Sequence, residues 1–212
     1  MYIPDQFQEP RIEVMHELIR SYPLATVVTM SSEGLNANHI PFYLSVDSSS
    51  FGTLQGHVAR SNPIWHDFVE DIGVLVVFQG PNAYVSPSWY ATKNATGKVV
   101  PTWNYIVVHA YGSLRVVDEA SWLHSQLESL TAHNEAAFAE QWHISDAPQE
   151  FTERLMGAIV GVEIVITKLV GKWKISQNQP HENRVGVIKG LNHSGLRDGA
   201  LMAAAVESYD KM

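Results

Sequence analysis

The period of the hydrophobic positions changes several times along this chain, and each change marks an element. Ile12, Met15, Leu18 and Ile19 fall on one helical stripe behind Glu9-Pro10, which places proline at a helix start. This helix is predicted to stop before Tyr22-Pro23. A strand rich in β-branched residues is predicted over residues 24–30, a turn at Ser31-Ser32-Glu33-Gly34, and a second strand over 38–44. A turn at 47–50 and a third strand over 53–58 follow. Ser61-Asn62-Pro63 has the form of a capped helix start, with a short helix over 65–68. Residues 73–79 form a nearly all-apolar strand, broken by Gly80-Pro81-Asn82, with extended structure resuming over 84–86. Residues 91–99 have no periodicity and read as a loop.

The clearest strand covers residues 102–117. One face carries Trp103, Tyr105, Val107, His109 and Tyr111; the other carries Ile106, Val108, Ala110, Leu114 and Val116. The aliphatic face suits a barrel interior. The aromatic face is also apolar and calls for a cover: a helix, a partner subunit or a flat ligand. Helices are predicted over 119–139 and 148–158, then a strand over 160–169, a turn at Gly171-Lys172, a short strand over 173–176, and a helical tail over 182–191 and 197–209. No repeat, low-complexity stretch or linker divides the chain. The pattern predicts one domain over residues 1–212, mainly β with appended helices, whose six or more short strands form a closed or partly open barrel.

Composition narrows the function classes. Hydrophobic residues make up 45% of the chain and charged residues only 17%, which supports a packed core and excludes disorder. The net charge of −8 weighs against a duplex-DNA binder, whose affinity comes largely from neutralising phosphates. The absence of cysteine removes disulfides, thiol nucleophiles, iron–sulfur clusters and zinc fingers. Met1-Tyr2-Ile3-Pro4-Asp5 has no basic or apolar leader character, and no apolar run reaches the length of a membrane span, so a cytoplasmic protein without membrane contact is expected.

Four segments offer chemistry. Gly56-His57-Val58-Ala59-Arg60-Ser61-Asn62-Pro63 ends a strand and opens a helix, where free N–H groups attract an anion. Arg60 would add a bidentate fork, and Ser61 and His57 further donors; a capped helix beside an exposed arginine reads equally from the spacing. Asn38-His39-Ile40-Pro41 interrupts an apolar strand with polar groups that can line the edge of a flat ring. Pro41 there favours a strand edge or bulge, and His39 alone also reads as a satisfied structural histidine. Pro101-Thr102-Trp103-Asn104-Tyr105 supplies stacking surfaces and an amide, for a ligand or a dimer interface. Lys172-Trp173-Lys174-Ile175-Ser176-Gln177-Asn178 combines cations, an indole and amides, or is a solvated strand end. The ten histidines show no metal-ligand spacing. No Gly-x-Gly-x-x-Gly, phosphate loop or Gly-x-Ser-x-Gly elbow occurs.

Several strings, in order along nearly the whole chain, resemble the PaiB family of the FMN-binding split-barrel superfamily. They are Met1-Tyr2-Ile3-Pro4 with Phe7, Gly56 to Pro63, Val76-Val77-Phe78-Gln79-Gly80-Pro81, Tyr84-Val85-Ser86-Pro87-Ser88-Trp89-Tyr90, Val100 to Tyr105, Ala158-Ile159-Val160-Gly161, and Lys172 to Asn178. The resemblance implies a six-stranded, Greek-key-like split barrel that forms a homodimer and holds FMN in a groove between protomers. Carried over residue by residue, Arg60 and Ser61 would hold the phosphate, with His57 nearby. Asn38, His39, Ile40 and Pro41 would run along the isoalloxazine edge. Trp103 and Asn104 would come from the long strand, and Trp173, Lys174 and Gln177 from the C-terminal segment of the partner. The chain departs from the family at Gln179, where a basic residue is usual; Arg184 is the nearest substitute. The functions implied are a small FMN-dependent oxidoreductase, or a negative transcriptional regulator without turnover, though no helix-turn-helix pattern is present. The histidine count and the haem-binding barrels of the superfamily make a haem-handling protein a third expectation.

Overall fold

The structure is a computed structural model that describes residues 1–46 and 49–209, so Asp47 and Ser48 of the expected turn lie outside the described residues. In chain order the main elements are β1 (Gln8–Glu9), α1 (Ile12–Ser21), β2 (Leu24–Ser31), β3 (Gly34–Pro41), β4 (Tyr43–Ser45), β5 (Thr53–Ala59), β6 (Val74–Val85), α2 (Lys93–Thr96), β7 (Thr102–Val117), α3 (Ala120–Glu135), α4 (Gln149–Met156), β8 (Ile159–Lys174), α5 (His181–His193) and α6 (Gly199–Tyr209). They form two compact units. The first comprises Met1–Arg11, Gln79–Val108 and Val170–Met212; the second comprises Ile12–Phe78 and His109–Leu169.

Among the described residues, eight strands follow the hydrogen-bonded order β3-β2-β6-β7-β8-β5-β4, with β1 beside β8. Eight strands fall within the six or more that the pattern predicts and exceed the six that the resemblance implies. Two of them, β1 and β4, are only two and three residues long. The expected single strand over residues 38–44 is divided between β3 and β4 by Phe42, which is 1% exposed. Its N–H donates to the Pro23 carbonyl (3.0 Å), and its ring meets Phe78 edge-on at 6.5 Å. The two ends of the strand order, β3 and β4, are therefore joined through one buried core residue. The same ring lies over Gly56 of β5, where an added Cβ would come within 3.0 Å of it. Glycine at this position lets β5 approach the corner closely.

Two expected breaks are not breaks. Gly80-Pro81-Asn82 lies inside β6, whose buried positions pass from Val74, Val76 and Phe78 to Ala83 and Val85. The dipeptide Gly80-Pro81 shifts the phase of the alternation while the ladder continues. Gly171-Lys172 likewise lies inside β8, where β1 pairs with it in the register Gln8 opposite Lys172. In β7 the interior face holds through Ile106, Val108, Ala110 and Gly112. Leu114 and Val116, expected on that face, are only half-buried, and Val117 is buried instead. The change follows Gly112, where an added Cβ would collide with the Val165 carbonyl, so the two backbones run unusually close.

The helices follow their patterns with small shifts. In α1, Met15, His16, Leu18 and Ile19 are buried, as an apolar stripe requires. The expected loop at 91–99 contains the four-residue α2, closed by Gly97 at φ +65°. In the first unit, α5 and α6 pack through Val187, Leu191, Met202, Ala203 and Val206. No helix among the described residues is long and apolar enough to cross a membrane.

Candidate functional sites

The strand-to-helix corner after β5 is built differently from its expected form. The helix is a single 3-10 turn, Pro63–Trp65, and its cap is already satisfied, because Asn62 Oδ1 accepts from Ile64 N–H at 3.0 Å. Arg60 is 39% exposed and is engaged by groups of the chain itself. Its guanidinium donates to both carboxylate oxygens of Asp118 (2.9 and 2.6 Å), to the Gly157 carbonyl (3.1 Å) and to the Ile159 carbonyl (3.0 Å). The hydrogen bond to Asp118 raises the Arg60 pKa and lowers that of Asp118. A fork satisfied this way clamps the start of β8 to the end of β7. Ser61 beside it is exposed.

Asn38 joins this corner, since its Oδ1 accepts from Asn62 Nδ2 at 2.8 Å. His39 and Pro41 are exposed, whereas Ile40 is buried against Gly56. As β3 ends the strand order, Pro41 stands where a residue without an N–H is tolerated. His57 points elsewhere: its Nδ1 lies 2.9 Å from Oε1 of the buried Gln126.

The remaining predicted residues gather in the first unit. Asn104 is fully buried and donates to Ser176 Oγ (2.9 Å), while its Oδ1 has no partner. Ser176 holds a φ of +67°, and Gln177 folds back on the same bend. Its Nε2 donates to the Trp173 carbonyl (2.5 Å), and its Oε1 accepts from Ile175 N–H (2.8 Å). The Ser-Gln pair thus stops β8 and pins its end. Gln179 serves α5, accepting from Asn183 Nδ2 (3.0 Å) and, through its carbonyl, from Arg184 (2.6 Å).

Lys174 does face the aromatic strand. Its ammonium donates to Thr102 Oγ1 (2.5 Å) and to the Trp103 carbonyl (2.8 Å). Two residues earlier on the same strand face lies Lys172, 8% exposed, donating to the Tyr2 carbonyl (3.2 Å) and 5.1 Å from the Tyr105 ring centre. Burial pushes the Lys174 pKa below its ordinary value; Tyr105 opposes this and the like charge of Lys172 adds to it. Among the described residues neither lysine forms an ion pair. Beside them the Trp103 ring is held open to solvent at 51% exposure. Its Nε1 donates to Asn82 Oδ1 (3.1 Å), and Asn82 is fixed in turn by Asp198, which accepts from its backbone and side-chain nitrogens (3.1 and 3.4 Å). Tyr84 meets Trp103 edge-on at 6.1 Å. Lys172, Asn82 and Tyr84 were absent from the expected site. The alternation Lys172-Trp173-Lys174 is the signal for the lysine pair, provided Gly171-Lys172 is not taken as a turn.

Known proteins are similar to this chain in sequence and in fold. Residues 1–168 match the family described as "Putative FMN-binding domain". The chain is 35% identical to an uncharacterized protein of Emericella nidulans over 100% of this chain and 98% of that one. It is 32% identical to protease synthase and sporulation protein PAI 2 of Bacillus subtilis, over 98% of this chain and 97% of that protein. The solved FAD and heme binding protein of Mycobacterium smegmatis has the same fold, with a TM-score of 0.56 at 17% identity over 79% of this chain and 73% of that chain.

Proposed function

The chain belongs to the FMN-binding domain family and is a homologue of the Bacillus PaiB protein, and from this premise we propose that it is a redox flavoprotein that binds FMN in its first unit. Lys172 and Lys174 receive the phosphate, and Trp103 and Tyr84 offer ring faces to the isoalloxazine. Both lysines lie just beyond the matched residues 1–168, so the family match does not supply them.

One observation carries this reading: two ammonium groups share one strand face, partly removed from water, and among the described residues no carboxylate forms an ion pair with either. Desolvated charge is costly unless it is paired. A phosphate dianion balances both, and the tethered indole beside them suits a flat ring system. Bound flavin supplies hydride or one-electron transfer, and the protein supplies position and charge.

Fluorescence titration of the full chain tests the reading. FMN is expected to bind about tenfold or more tightly than riboflavin, which lacks the phosphate, since one charge-assisted hydrogen bond contributes roughly 1.5–3 kcal/mol. Equal affinities would remove the anion site.

A pH dependence follows from Lys174. Its folded-state pKa is lowered, so the ammonium loses its proton at a pH below the ordinary 10.5. The second phosphate ionisation lies near pH 6, so the phosphate charge is constant over the alkaline range in which Lys174 loses its proton. The ratio of FMN to riboflavin affinity is expected to fall with rising pH, starting before 10.5 is reached. The lysine makes the opposite contribution to folding. The unfolded chain binds more protons through this window, so stability from Lys174 rises with pH there. A flat affinity ratio across the window would place the phosphate away from Lys174.

A further inference from the structure

The second unit contains a cavity of about 490 Å³ between the end of β5, the start of β8, and the helices α3 and α4. Its wall is almost wholly apolar, with Leu127, Trp142, Phe151, Leu155, Met156 and Ile159 prominent, and among the described residues it includes no Asp, Glu, Lys or Arg. No residue of α4 is buried, although Phe151 and Leu155 are large and apolar, at 44% and 50% exposure. Trp142 is 46% exposed. The size lies within the range of small-molecule sites, which are mainly apolar with a few oriented polar groups.

The oriented group is His57. Gln126 is 2% exposed, and its Nε2 donates to the Gln55 carbonyl at 3.5 Å. Only the amide nitrogen can make that bond, so Oε1 is the atom turned to His57 Nδ1, 2.9 Å away. An amide oxygen accepts, so the neutral imidazole carries its proton on Nδ1. In that tautomer Nε2 is an acceptor, and His57 is among the residues that line the cavity.

We propose that this cavity binds a neutral hydroxyarene, a flat aromatic ring bearing one hydroxyl group that donates to His57 Nε2. The lack of charged lining residues selects against ions. Trp142 and Phe151 favour an aromatic ring over an aliphatic chain, and the fixed tautomer selects a donor over an acceptor. The inference is independent of the flavin reading, because it rests on the second unit alone.

Calorimetric titration of the full-length protein with 2-naphthol and with its methyl ether at about pH 7, where a phenol is neutral, tests the proposal. The two probes share the rings and differ in the donor. The naphthol is expected to bind about tenfold or more tightly than the ether, as a satisfied hydrogen bond at a desolvated acceptor allows. His57→Phe keeps a ring in place and should reduce naphthol affinity to that of the ether. Because that change also strips Gln126 of its partner, Leu155→Arg is the second variant; it sets a charge at the cavity wall and should abolish binding of both probes. Equal affinity of the parent protein for the two probes overturns the proposal, as does naphthol binding that survives Leu155→Arg. Sedimentation supplies the competing outcome. A parent dimer that Leu155→Arg converts to monomer, with no naphthol bound, would make this face a contact between copies of the chain and would also overturn the proposal.

Discussion

Replacing Lys172 and Lys174 together by methionine is expected to weaken FMN binding about a hundredfold and to leave riboflavin binding within about threefold, on the basis of two charge-assisted hydrogen bonds at roughly 1.5–3 kcal/mol each, reduced by solvent screening. Methionine keeps most of the aliphatic stem while removing the ammonium that, in Lys172, lies over the Tyr105 ring. The same variant separates a binding role from a structural one. If the lysines only supported the fold, their loss would lower the melting temperature. Unpaired desolvated charges without ligand instead predict an apo protein at least as stable as the parent, because replacing buried charge with apolar groups is often neutral or stabilising. Arg60→Ala is the companion measurement. With its guanidinium fixed by Asp118 and two carbonyls, its loss should leave FMN affinity within about threefold of the parent value, less than one charge-assisted bond. A large loss at Arg60 with none at the lysines would move the phosphate to the corner after β5.

The contrast between these two places shows what the sequence could convey. The strand Thr102–Val117 was legible to its last residue, because the alternation of the two faces from Trp103 to Tyr111 admits no helical reading, although the faces expected after Gly112 do not hold. Helix α1 was legible for the corresponding reason. Gly80-Pro81 and Gly171-Lys172 carry strong local turn signals, yet both lie in strands where the hydrogen-bonded ladder outweighs them. Ending the strand at residue 169 with a turn at Gly171-Lys172 also hid the lysine pair, since Lys172 and Lys174 share a face only if the strand runs through both. At Arg60 the limit was distance in sequence. Its anion, Asp118, lies 58 residues away, and nothing local to the motif distinguishes a fork waiting for phosphate from one already closed on a carboxylate. The same holds for His57, whose tautomer depends on Gln126, 69 residues on.

The second large effect concerns the glycines of α5. Gly186 and Gly190, one helical turn apart, lie on one face, and Trp89 is seated against them. A Cβ at Gly186 would fall on the Trp89 carbonyl oxygen, and one at Gly190 would fall inside its indole ring. Helix propensity alone predicts that alanine stabilises each position by roughly 0.5–1 kcal/mol. Packing opposes this, since overfilled contacts cost about 1–3 kcal/mol and a backbone carbonyl cannot rotate away as a side chain can. Packing should win at Gly186, and Gly186→Ala/Gly190→Ala is expected to lose about 2–4 kcal/mol, a fall in melting temperature of roughly 4–16 °C for a chain of this size. Asn192→Ala, on an exposed position of the same helix, isolates the propensity gain and should not lower the melting temperature. If the double alanine variant melted at or above the parent temperature, α5 would have room to move, and the glycines would be incidental to its seating on Trp89.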